Sequence, residues 1–160
     1  MLVIKGEHMP YNQIKACDLH ENGRDHNPAI VLKNRPISIL YLDDDVQMLE
    51  IMKRFLERKN HFCVTSVSDP QEALGWLCQG PYDCILSDYM MPVMDGISFY
   101  NGIRSLGILT PFILISSSFQ EDIKPLIRKA GIRLFFTKQA ILNDPCLIIK
   151  SIIQELFSQK

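Results

Sequence analysis

From Ile37 onward, short apolar runs alternate with segments in which apolar residues recur at three- and four-residue spacing. A short apolar run is buried best beside other strands, and a segment of helical period has one face with which to cover them. The pattern is therefore that of βα units building a parallel sheet. The runs predict strands at Ile37 to Leu42, His61 to Val67, Tyr82 to Ser87, Phe112 to Ser116 and Arg133 to Phe136. Between the first two, Met48, Leu49, Ile51, Met52, Phe55 and Leu56 share a face opposite Lys53, Arg54, Glu57 and Arg58, which predicts an amphipathic helix. Asp69 as cap, Pro70 in the first position and Glu72 completing a capping box predict the start of a second helix, and Gly80-Pro81 its end. Gly96 to Ser105 predicts a third, and Asp144-Pro145 opens a last one running to about Phe157. In that last helix Ile148, Ile149, Ile152, Ile153, Leu156 and Phe157 spread over roughly half the circumference, wider than one sheet contact needs, so part of the face is expected to meet a partner. The segment Phe119 to Ala130 contains Pro125; an interior proline costs about 3 kcal/mol, so this helix either starts late, with Pro125 in its first turn, or bends.

Residues able to do chemistry fall at the ends of these strands. Asp43, Asp44 and Asp45 follow the first, Ser116 ends the fourth, and Lys138 closes the fifth. Asp88 ends the third and opens the run Asp88-Tyr89-Met90-Met91-Pro92-Val93-Met94-Asp95-Gly96. In open parallel sheets functional groups gather at the carboxyl ends of the strands, where the strand order reverses. Carboxylates packed that closely repel one another and stay partly protonated unless a small hard cation such as Mg²⁺, or Mn²⁺ in its place, sits between them. The cluster reads as a cation site with one oxygen nucleophile. Asp45 is well placed to cap the first helix and Asp95 the third, while Pro92 and Gly96 hold the loop between Asp88 and that third helix.

The 160 residues, 47% of them hydrophobic, suffice for one core and a modest extension. Residues 1–36, polar and without sustained period from Lys15 to Asn34, read as an N-terminal tail or linker ahead of a domain at 37–158. Cys17, His20 and His26 lie in that tail without a fourth metal ligand at finger-like spacing. A net charge of −1 with scattered basic residues argues against nucleic-acid binding. No apolar stretch reaches the roughly 18 residues of a membrane span, and Met1 to Ile4 is too short for a signal peptide. The five cysteines are odd in number and lack a CxxC pair, and Cys63 and Cys84 fall in strand-like runs, so reduced core thiols of a cytoplasmic protein are expected.

The acidic run, Asp88 with its Met-Pro-x-Met-Asp-Gly sequel, Ser116 and Lys138 together resemble the receiver domain of two-component response regulators, over Ile37 to about Phe157. The resemblance implies the flavodoxin-like receiver fold, a doubly wound five-stranded parallel sheet with helices on both faces. It implies that Asp88 accepts a phosphoryl group from a histidine kinase or a histidine phosphotransfer protein. Asp44, Asp88 and the backbone carbonyl of Met90 would then ligate Mg²⁺, with Asp43 acting through water. Lys138 would pair with Asp88 before phosphorylation and with a phosphoryl oxygen after it. Ser116 would donate to another oxygen, and Phe135, three residues before the lysine, would turn inward as that hydroxyl moves. On this footing the chain is a phospho-acceptor rather than an enzyme with a separate substrate, slow self-dephosphorylation at most. With no output domain after Lys160, a stand-alone receiver read by a separate effector protein is expected, and a homodimer through the fourth and last helices is a further expectation.

Two departures weigh on that expectation. The family lysine is usually followed by a proline in a cis peptide bond, whereas Gln139 follows Lys138 here; a cis bond before a non-proline residue costs about 2.5 to 4 kcal/mol, so Lys138-Gln139 is expected to be trans. Pro125 falls in the helix on the face that usually signals. Both features favour, as an alternative, an interaction module that keeps the acidic pocket and works without phosphate. A phosphatase of the haloacid dehalogenase type needs a second aspartate two residues after the nucleophile, where Met90 stands. A flavodoxin needs a phosphate-accepting loop after its first strand, and Asp43 to Asp45 would repel that phosphate.

Overall fold

Successive side chains of a strand point to opposite faces of its sheet, and the first strand, β1 (Ile37–Leu42), is apolar and buried on both. It must therefore lie inside a sheet covered twice. In the computed structural model, which describes residues 35–58, 61–144 and 146–157, β1 is flanked by β2 (Phe62–Val67) and β3 (Cys84–Asp88). With β4 (Phe112–Ser116) and β5 (Leu134–Thr137) they form one parallel sheet in the order β2-β1-β3-β4-β5. The strand order reverses at β1, where the chain first steps outward to β2 and then crosses to β3 on the other side.

Helices fill the connections: α1 (Val46–Glu57), α2 (Pro70–Gln79), α3 (Gly96–Ser105), α4 (Ile123–Ala130), α5 (Lys138–Asn143) and α6 (Cys146–Phe157). Ile37, Ile39 and Tyr41 of β1 pack with Met48, Leu49, Met52 and Leu56 of α1 and with Ile148 and Ile152 of α6. Leu40 and Leu42 pack on the other face with Ala73 and Leu77 of α2, Phe99 and Ile103 of α3, and Ile127 of α4. This is the doubly wound arrangement with helices on both faces.

The helix starts follow their capping chemistry. Asp45 accepts from the backbone N–H groups of Gln47 and Met48, Asp69 from those of Gln71 and Glu72, and Asp95 from that of Ser98. Asp144 accepts from the N–H of Cys146, while Pro145 lies outside the described residues. At the sheet edge, the outward N–H of Val64 donates to Glu57 and its carbonyl accepts from Lys53, both on α1, so two edge groups are closed off.

Several expectations need correction. The β2, β3 and β5 boundaries lie one or two residues further along than the apolar runs suggested at their starts, and β5 ends at Thr137. For α4 no correction is needed, since of the two alternatives the late start holds: the helix begins at Ile123, which puts Pro125 in its first turn where no intrahelical N–H is required of it. Helix α5 was not expected at all. The wide apolar face of α6 is not spare: Ile148, Ile149, Ile152 and Ile153 are all buried in the core. Cys84 is buried as expected, but Cys63 and Cys78 are exposed. Residues 1–34, with Cys17, His20 and His26 among them, lie outside the described residues.

Candidate functional site

Leu42 of β1 sits opposite Ser87 of β3, so the next residues, Asp43 and Asp88, lie at the carboxyl edge of the sheet. Asp43, Asp44 and Asp88 each bring a carboxylate oxygen within 4.8 Å of the other two. Asp43 is fully buried and fully engaged. It accepts from the hydroxyl of Tyr41, which shares its face two residues earlier, from the N–H of Asp45 at 3.0 Å, and from Lys138 Nζ at 3.0 Å. Asp44 is exposed. Asp88 is 3% exposed, and its Oδ1 has no hydrogen-bond partner among the described residues, although Lys138 Nζ lies 3.4 Å away.

Lys138 thus pairs more closely with Asp43, at 2.9 Å from Oδ2, than with Asp88, to which the sequence assigned it. Burial works against its charge, but the hydrogen bond and charge of Asp43 and the charge of Asp88 outweigh burial and hold the ammonium above its usual range. Asp88 is pushed up to about 6, by burial first and by Asp43 next, with Lys138 pulling the other way. The Tyr41 hydroxyl is driven well above the usual phenol range by burial and by Asp43, so it stays a donor.

The remaining expected residues have other partners in this state. Ser116, fully buried at the end of β4, donates its hydroxyl proton to the carbonyl of Ser118 at 2.9 Å. Phe135 is half-buried and meets Phe119 edge-on at 5.3 Å between ring centres, and Phe119 in turn lies 6.1 Å from Tyr89. The Met90 side chain is 63% exposed, consistent with a position whose use is its backbone. The loop that carries it is held by Gly96. A Cβ there would stand 2.4 Å from the carbonyl oxygen of Asp88 and 2.6 Å from Leu114, so only glycine lets α3 start so close to the acidic edge.

Two contributors escaped the sequence reading. Tyr41 looked like one more apolar strand residue; its only signal was a polar tip on the face that leads to Asp43. Thr137 ends β5 and caps α5, accepting from the N–H of Ala140 at 3.1 Å, so that Lys138 is the first residue of a helix. No described peptide bond is cis, and Lys138-Gln139 is trans as expected.

Three carboxylates around one ammonium leave an excess of negative charge that a divalent cation would balance, and Asp88 Oδ1, which accepts no hydrogen bond, offers it a ligand. The residues present therefore fit a small hard cation. Over residues 39–150 the sequence matches the model of the response regulator receiver domain. The chain belongs to the response regulator receiver family. Among this receiver's relatives, the transcriptional regulatory proteins ResD of Bacillus subtilis and SrrA of Staphylococcus aureus are each 28% identical over 116 residues, or 72% of this chain. Those residues make up 48% and 47% of the two relatives, so this receiver spans about half the length of the curated proteins it matches. The receiver domain of Francisella response regulator 1452 superposes with a TM-score of 0.65 at 29% identity, covering 73% of this chain and 96% of that one. A CheY-like receiver domain from Methanospirillum hungatei, at 21% identity and a TM-score of 0.69, covers 78% of this chain and 99% of its own and shares the fold.

Proposed function

We propose that this receiver, residues 37–158 behind an extension at 1–36, accepts a phosphoryl group on Asp88 from a phosphohistidine of a histidine kinase or histidine phosphotransfer protein. The observation that carries the reading is the buried Asp88 oxygen without a hydrogen bond, beside two further carboxylates and one lysine. An Asp88 oxygen attacks phosphorus, the P–N bond to the donor imidazole breaks, and the leaving nitrogen is neutralised by a proton, giving an aspartyl phosphate. Lys138 sits where it can follow the new charge from Asp88 to a phosphoryl oxygen. Ser116 would reach a second oxygen by giving up the carbonyl of Ser118, and Phe135, half-buried against Phe119, would turn inward with that movement. Asp44, Asp88 and the Met90 carbonyl would hold Mg²⁺ or Mn²⁺, with Asp43 behind them, and the cation would supply charge neutralisation on the phosphoryl oxygens.

The chain's own chemistry is then acceptance and slow release of phosphate, and its output is a changed surface read by an effector protein in the cytoplasm. Among the described residues no helix is long and apolar enough to cross a membrane. A homodimer through α4 and α6 would have to rest on side chains such as the exposed Leu126, because the isoleucines of α6 are in the core. The phosphate-independent alternative drew on Pro125 and Gln139. It loses support, since Pro125 fits the first turn of α4 and Lys138 reaches both acids without a following proline.

Intact mass after incubation with acetyl phosphate tests the reading. A gain of about 80 Da that requires both a divalent cation and Asp88 is the expected result. No gain in the wild type, or the same gain in Asp88→Ala, would overturn it.

A further inference from the structure

We propose that Thr137 is a positioning residue for Lys138, setting the direction of the lysine by capping the helix that the lysine begins. The part of Lys138 in phosphoryl transfer rests on the reading above, whereas its placement is a matter of geometry. The problem is electrostatic as well as steric. Lys138 is the first residue of α5, the end of a helix where the backbone N–H groups disfavour a cation. Its ammonium nevertheless has to point back across the sheet edge, to within 2.9 Å of Asp43 and 3.4 Å of Asp88.

A helix of six residues does not hold together by itself. Three contacts fix this one. Ile141 is 2% exposed and sits in the core between the sheet and α6. Gln139 donates through Nε2 to Asn143 Oδ1 at 2.8 Å, one turn on. Thr137 supplies the start, accepting from the N–H of Ala140, and it is itself paired with Ser116 in the register of β4 and β5. The cap therefore ties the first turn of α5 to the sheet edge at the one place from which Lys138 leaves. Without it the first turn frays, and the lysine gains routes to solvent that its position at the helix start favours.

Lysine labelling by a water-soluble acylating reagent, read residue by residue by mass spectrometry, tests this on the full chain without phosphate or metal. Thr137→Val keeps the side-chain shape and removes the acceptor; Thr137→Ser keeps the acceptor. Loss of one helix cap predicts about a threefold to tenfold faster labelling of Lys138 in Thr137→Val, with Thr137→Ser at the wild-type rate. Lys53 and Lys124, held by Val64 and Glu121, should label as in the wild type. Acetyl phosphate uptake should slow in Thr137→Val while Mn²⁺ binding, followed by its EPR signal, is not weakened, because the departing ammonium removes a like charge from the cation's neighbourhood. Unchanged labelling of Lys138 in Thr137→Val, or an equal rise at Lys53 and Lys124, would overturn the proposal. If the wild type takes up no phosphoryl group while Lys138 alone is unmasked in Thr137→Val, the positioning role holds and the phospho-acceptor reading falls.

Discussion

A carboxylic acid enclosed beside a second carboxylate holds its proton more tightly folded than unfolded, and Asp88 moves from 3.8 to about 6. The linkage follows from that direction. Between about pH 4 and pH 6 the folded state binds more protons at Asp88 than the unfolded state does, so stability falls as pH rises through this window and is lowest, from this group, above it. Two pKa units correspond to about 3 kcal/mol. Without divalent cation, Asp88→Asn should therefore raise unfolding free energy by about 1 to 3 kcal/mol at pH 7.5 and leave it nearly unchanged at pH 4, as urea titrations would read. A destabilised Asp88→Asn at pH 7.5 would contradict a buried acid whose enclosure and neighbouring carboxylate outweigh the help of Lys138. At this scale the sequence displayed the acids, the lysine and the serine, because charged residues at strand ends stand out. It could not display which acid the lysine holds: the closer contact with Asp43 depends on where α5 begins.

Helix α3 approaches the sheet through one residue without a side chain. Gly96 does not have a positive φ, so its requirement is space: an added Cβ would collide with the Asp88 carbonyl, a backbone atom that cannot swing aside. Gly96→Ala should cost about 1 to 3 kcal/mol in stability, seen in urea unfolding, and should slow phosphoryl uptake by displacing the Asp88 backbone. Helix starts were legible where an aspartate cap marked them, as at Asp45, Asp69 and Asp95. Helix α4 could be read as one of two alternatives, and packing chose the late start with Pro125 in the first turn. Helix α5 left no trace, because six residues do not complete two turns of a periodic pattern and its cap, Thr137, also belongs to a strand. The breadth of α6 was visible, but its meaning was misread: a helix buried between the sheet, α1 and α5 needs a wide apolar face without any partner.

Across the molecule, β1 and β3 bring together acids 45 positions apart in sequence, and a cation bridging them would couple the site to the stability of the whole sheet. At ten times its dissociation constant, a cation bound only by the folded chain adds about 1.4 kcal/mol, or a few degrees in melting temperature. Mg²⁺ and Mn²⁺ should produce that rise in the wild type, K⁺ at equal ionic strength should not, and Asp88→Asn should show a smaller one; equal shifts in both proteins would argue against Asp88 as a ligand. The sequence by itself determined the class of fold and displayed the acids, the serine and the lysine at the strand ends, since periodicity decides strand or helix locally and polar residues stand out beside apolar runs. Only the tertiary structure decided the pairings within the site. The hold of Lys138 on Asp43 and its longer reach to an Asp88 oxygen that accepts no hydrogen bond join segments far apart in the chain, and their geometry exists only once the sheet has formed.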